Sequence, residues 1–195
     1  MNRMKVFLFF LILLGTFLMS GCDPLGEIEN QNQNQQPVSS SVSSVSSADS
    51  EMNAQKKKEY TFQVYYPNSD GTKLVAVKRS AEAEKGGEYA LAVNSLLSGT
   101  EDKDLVPIFP KTARLIGIEV SNGIAKVNFS SSLKKDFVGG STGETLLIAS
   151  LVNTLTEFPE IKSVQLLIDG KAVETLAGHM DLSNPIKRMD DLIQK

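Results

Sequence analysis

No tryptophan occurs in these 195 residues, and cysteine and histidine occur once each. A lone cysteine excludes an internal disulfide and a thiolate metal cluster. A lone histidine, His179, leaves any nucleophile a single imidazole as base and offers no second one to a metal. Positive charge is also in the minority. Of the 20 basic side chains, Arg3 and Lys5 precede the apolar N-terminal run, leaving 18 against 23 acidic ones, a formal charge of −5. A mildly acidic chain has no overall electrostatic footprint for nucleic acid or anionic lipid headgroups. The longest apolar run, Val6 to Leu18, is broken by Gly15 and Thr16. It is shorter than the roughly 20 residues that span a hydrocarbon core, so a permanent transmembrane helix is disfavoured.

That run reads instead as the core of an export signal. Arg3 and Lys5 supply the basic start, and the segment closes as Leu18-Met19-Ser20-Gly21-Cys22. Small residues before a cysteine resemble the lipobox of bacterial lipoproteins, with Met19 standing where that family usually has Leu. The resemblance implies cleavage before Cys22, lipid on its thiol and a palmitate-type anchor in the extracytoplasmic face of the cell membrane. Two acyl chains hold stably, because each buried CH₂ contributes about 0.8 kcal/mol and one chain alone is marginal. An ordinary secretory signal is the rival, and it would leave Cys22 as an unpaired thiol.

Residues 22–59 are compositionally distinct, running through Gln31-Asn32-Gln33-Asn34-Gln35-Gln36, a serine-rich stretch and Lys56-Lys57-Lys58. Such a segment cannot bury enough apolar surface to offset the entropy of ordering and is expected to be a disordered tether. As a flexible coil it reaches roughly 30–36 Å.

Order is expected from Tyr60. Tyr60, Phe62, Val64 and Tyr66 alternate with polar neighbours, and Pro67-Asn68-Ser69-Asp70-Gly71 turns the strand into a second, Lys73 to Arg79. Glu88 to Ser98 places Tyr89, Ala92, Val93, Leu96 and Leu97 on one helical stripe, with Gly99 beyond its end. Leu115 to Val120 and Ile124 to Phe129 flank Asn122-Gly123, the strongest short hairpin signal. A second helix, Thr142 to Glu157, has Leu147, Ile148, Leu151 and Leu155 as its buried stripe and a capping-box spacing of Ser141 and Glu144. Val164, Leu166 and Ile168 alternate in a further strand that turns at Asp169-Gly170 towards Val173 to Leu176, and the segment from Met180 reads as polar and peripheral, with a short helix near its end. The pattern ββαββαββ predicts an α+β domain: a mixed or antiparallel sheet with two helices packed on one face.

Few residues offer chemistry. Gly139-Gly140-Ser141-Thr142-Gly143 has the Gly-x-Ser-x-Gly spacing of a hydrolase elbow, but an irregular segment precedes it and only His179 could serve as base. The same glycines before a helix could cradle a phosphate, yet they lack the P-loop ending and Glu144 would repel an anion. Glu101, Asp102 and Asp104 have no calcium-loop spacing. Tyr60, Tyr65, Tyr66 and Tyr89 fall on strand and helix stripes, where core packing is the simpler use. The expectation is therefore a protein that is not an enzyme, with no catalytic, cofactor-binding or metal residues, and with Cys22 as its lipidation site.

Residues 60–188 resemble the GerM domain, also called the sporulation and spore-germination domain. The resemblance rests on Val64-Tyr65-Tyr66-Pro67-Asn68, Leu96-Leu97-Ser98-Gly99, Asn122 to Ser130, Thr154-Leu155-Thr156-Glu157-Phe158-Pro159, Val164 to Gly170 and Leu176-Ala177-Gly178-His179. It implies a lipoprotein of a spore-forming or related bacterium, with a domain similar to ring-building modules of secretion-like assemblies. The protein that names the family looks like a tandem of two such domains, whereas this chain has room for one. Signal peptide (1–21), lipidated tether (22–59), GerM-like domain (60–188) and C-terminal tail (189–195) are the expected parts. The expected role is an assembly or protein-interaction module of the cell envelope, possessing a membrane anchor and envelope-protein partners, compatible with a homo-oligomer and without nucleic acid. A small-ligand-binding accessory lipoprotein is the alternative, and a wall-modifying enzyme a more distant one.

Overall fold

The computed structural model describes residues 57–195, so the signal segment, Cys22 and most of the tether lie outside the described residues. Alternation from Tyr60 does produce a strand. β1 (Lys58–Pro67) pairs antiparallel with β2 (Leu74–Ala83), in register from Lys58↔Ala83 to Pro67↔Leu74. Asn68 closes the turn, its Oδ1 accepting from the amides of Thr72 at 3.0 Å and Lys73 at 3.2 Å. α1 (Glu88–Leu97) follows and buries Ala92, Val93 and Leu96. Gly99 takes φ +76°, the left-handed conformation expected just past a helix end.

β3 (Leu115–Ser121) and β4 (Ile124–Phe129) pair antiparallel across Asn122-Gly123, whose φ values of 51° and 78° are those of a type I′ turn. A short helix, α2 (Ser132–Lys135), precedes the central α3 (Ser141–Leu155). β5 (Ser163–Ile168) lies parallel to β4, from Ile124↔Ser163 to Phe129↔Ile168. A parallel pair needs a long crossover, and α3 supplies it. Two-residue strands β6 (Lys171–Ala172) and β7 (Ile186–Lys187) pair with opposite ends of β5, and a 3₁₀ turn (Asp190–Leu192) follows β7.

The α+β class predicted from the pattern is the one found, with the strands divided between a β1–β2 ribbon and a mixed sheet ordered β3-β4-β5-β6. α3 lies in the middle. Leu147, Ile148, Leu151, Val152 and Leu155 enter the main core with Val64, Tyr66, Val127, Phe129 and Leu166. Leu146 and Ala149, on another face of α3, join Tyr65 and Leu74 in a second cluster covered by Met189, Leu192 and Ile193. Every residue from Leu146 to Leu155 is buried. A helix apolar over most of its circumference belongs in an interior, not on a surface.

Two expectations need correction. The segment from Met180 is not peripheral. Leu182 is fully buried, β7 extends the sheet, and Ile193 bridges to Leu74 of β2 while the Gln194 amide donates to the Leu74 carbonyl at 2.8 Å. Residues 189–195 thus complete the domain and are not a tail outside it. The strand expected at Val173 to Leu176 is also not formed: β6 covers only Lys171–Ala172, and the chain beyond it is held by a side chain of α3.

Candidate functional site

That side chain is Glu144. It is wholly buried, and its carboxylate accepts four hydrogen bonds. Oε1 takes the Thr175 hydroxyl at 2.8 Å and the amides of Leu176 and Ala177 at 2.9 and 3.0 Å. Oε2 takes the amide of His179 at 2.9 Å. Burial alone would raise its pKa, but these donors outweigh it and hold the carboxyl below the usual range. The capping-box reading of Ser141 and Glu144 is therefore corrected. Gly140 is the N-cap, with no side-chain cap, and Glu144 bonds a segment more than 30 residues away.

The same geometry places the other sequence candidates. Ser141 is the exposed first residue of α3. His179 is exposed and engaged through its backbone amide, and no hydrogen bond joins its ring to Ser141 among the described residues. Glu101, Asp102 and Asp104 are exposed; Asp102 Oδ1 accepts the Asp104 amide at 2.9 Å, an ordinary local turn. Among the described residues no acidic, histidine or cysteine group is arranged to hold a metal. Tyr66 is buried and directs its hydroxyl at the carbonyls of Ser95 and Gly99, 2.9 and 2.8 Å away, satisfying the end of α1. Tyr60 and Tyr89 are half-buried.

Sequence reasoning missed a second polar cluster, at the other end of α3. The Tyr65 hydroxyl donates to Glu157 Oε1 at 2.6 Å and accepts from Arg188 Nη2 at 2.8 Å. Arg188 also lies 2.8 Å from Glu157 Oε1, and its Nη1 donates to the Asn153 carbonyl at 3.1 Å, in the last helical turn, where the Thr156 hydroxyl also reaches it at 3.4 Å. Asn153 in turn exchanges two hydrogen bonds with the backbone of Met189. Burial, then the bond to Glu157, pushes the Tyr65 phenol up. Apolar residues recurring through the C-terminal segment, at Leu182, Ile186, Met189, Leu192 and Ile193, were the available signal.

One open surface is a sheet edge. β3 ends the mixed sheet, and an extra residue, Ile116, bulges between the pairs Leu115↔Phe129 and Gly117↔Asn128. Ile116 is 56% exposed, a large apolar side chain beside unpaired strand backbone.

A family model described as sporulation and spore germination, the Germane domain, matches residues 63–174. The chain belongs to this family. Two solved structures agree with the Germane fold. The first GerMN domain of the sporulation protein GerM from Bacillus subtilis is matched at 19% identity over 66% of this chain and 98% of that one, with a TM-score of 0.53. The tandem GerMN domains of the same protein give 19% identity and a TM-score of 0.54 over 77% of this chain, which spans 51% of the tandem. A Clostridium perfringens protein assigned as a lipoprotein is matched at 22% identity, over 70% of this chain and 93% of that one, with a TM-score of 0.49. Comparison with curated proteins returns no match. The Germane match stops before Thr175, so the Glu144-bound loop, Arg188 and β7 lie beyond it.

Proposed function

We propose that this Germane-family chain is a lipid-anchored envelope protein whose one folded domain binds other proteins, without catalytic chemistry, in sporulation or spore germination. The free edge of β3 with its exposed Ile116 is the observation that carries the reading, since an unpaired strand is a template for strand addition by a partner. The polar clusters favour it too: buried Glu144 and Tyr65 and half-buried Arg188 are all spent on holding the chain together. Family membership supplies the biological setting, and the lipobox-like ending at Cys22 supplies the address.

Two measurements test this. In intact cells, crosslinking should capture envelope proteins with the native chain, and Ile116→Lys should cut that capture about tenfold while leaving the melting temperature within about 2 °C, because surface substitutions cost under roughly 0.5 kcal/mol. Equal capture by the variant would remove the edge from consideration. Separately, Cys22→Ser should abolish labelling by a radioactive lipid precursor and release the protein from membranes; retained label would overturn the anchor.

A further inference from the structure

A net charge of −5 conceals a local exception where the tether enters the domain. An open recess of about 590 Å³ is lined there by Lys57, Lys58, Tyr60, Lys85 and Glu88. The strand register explains how these charges are sorted. Lys58 and Tyr60 share one face of β1, and their partners on that face of β2 are Ala83 and Ala81. Glu59 and Glu82 oppose each other on the reverse face, so strand alternation keeps the nearby acids off the recess side. Lys85, just past β2, arrives alongside from 27 positions away. Lys58 stands 5.3 Å over the Tyr60 ring. Glu88 is the one acid in the lining, and its Oε2 turns back to accept the Gly86 amide at 2.7 Å. Both ion pairs among the described residues belong to Arg188, so no acid among those residues neutralises these lysines through one.

Three lysines around a half-apolar recess make an anion site, and its position selects the anion. We infer that the recess takes the phosphate of an anionic glycerophospholipid headgroup, with Lys57, Lys58 and Lys85 as the cationic contacts and the Tyr60 ring against the glycerol. The inference rests on the anchoring of Cys22 proposed above. Residues 23–56 are all that separates the recess from that anchor, so headgroups are present at high effective concentration and a weak site suffices. The domain then alternates between a raised state at tether length and a lowered state seated on the bilayer.

The test uses the chain from Asp23 onward, which lacks the anchor and keeps tether and domain, so its outcome is independent of lipidation at Cys22. Sedimentation with phosphatidylglycerol vesicles at low salt should show binding that is absent on phosphatidylcholine vesicles and weakens as salt is raised. Lys58→Glu with Lys85→Glu should weaken it at least tenfold. Lys103→Glu with Lys111→Glu, two exposed lysines outside the recess lining, makes the same change in net charge and should weaken it less than threefold. Equal losses in the two variants, equal binding to both vesicles, or binding of inorganic phosphate in calorimetry without vesicle binding would each overturn the assignment.

Discussion

Glu144→Ala should lower the melting temperature by about 10 °C or more. The substitution leaves three backbone amides and the Thr175 hydroxyl without their acceptor, the Leu176 amide in a buried position and the others partly buried. Each buried donor left unmade costs about 1–3 kcal/mol, so the total is about 3 kcal/mol or more, and each kcal/mol moves the midpoint of a domain this size by about 3–5 °C. Glu144→Gln keeps one accepting oxygen and should fall between. The pH dependence separates the charge from the shape. The carboxyl titrates below its ordinary value when folded, so the stability it contributes is complete at neutral pH, above the unfolded pKa. It is lost as pH falls through the ordinary glutamate range towards the lower folded value. Urea midpoints measured from pH 7 to pH 3 should fall more steeply for the native chain than for Glu144→Gln. Parallel curves would mean that Glu144 is not the ionised acceptor.

Ending the chain before Arg188 should be comparably severe. Met189, Leu192 and Ile193 cover Tyr65, Leu74, Leu146 and Ala149, and half-burial of three such side chains contributes about 1 kcal/mol each. Loss of the bonds from Arg188 to Tyr65, Glu157 and the Asn153 carbonyl adds about 1 kcal/mol. A deficit of about 4 kcal/mol is a large part of the roughly 5–15 kcal/mol a domain possesses. The truncated chain should melt at least 10 °C lower and bind a hydrophobic dye at 37 °C. A truncated chain that melts with the native one would show the segment to be dispensable. Arg188→Ala alone should cost only about 1 kcal/mol, since its charge pairs are partly solvated.

These residues mark where the sequence stopped being legible. Alternation located β1, β4 and β5, and Asn122-Gly123 and Asp169-Gly170 take the positive φ values that such dipeptides favour. Those signals are local, and so is the physics behind them. Ser141 and Glu144 had the spacing of a local cap as well, but a buried carboxylate follows its donors, and these arrive from a segment more than 30 residues on. The stripe Leu147, Ile148, Leu151 and Leu155 was correct for one face of α3 and silent about Leu146 and Ala149, whose partners come from two distant segments. The C-terminal segment has no period to read, because it docks residue by residue on surfaces already built. At the edge, Ile116 sits in a bulge, and no spacing rule places an extra residue in a strand.

The bridge from Leu74 to Ile193 has a consequence for the order of events in the cell. On the export route proposed above, a chain threaded through the membrane N-terminus first delivers β1 and β2 early and their final neighbour last. The ribbon can form as soon as it emerges, but the second apolar cluster stays open until residue 193 has crossed. On that route the polypeptide does not close its second cluster while its last residues are still inside, and a copy stalled near its end would present Leu74 and Tyr65 to any quality-control protease on the far side.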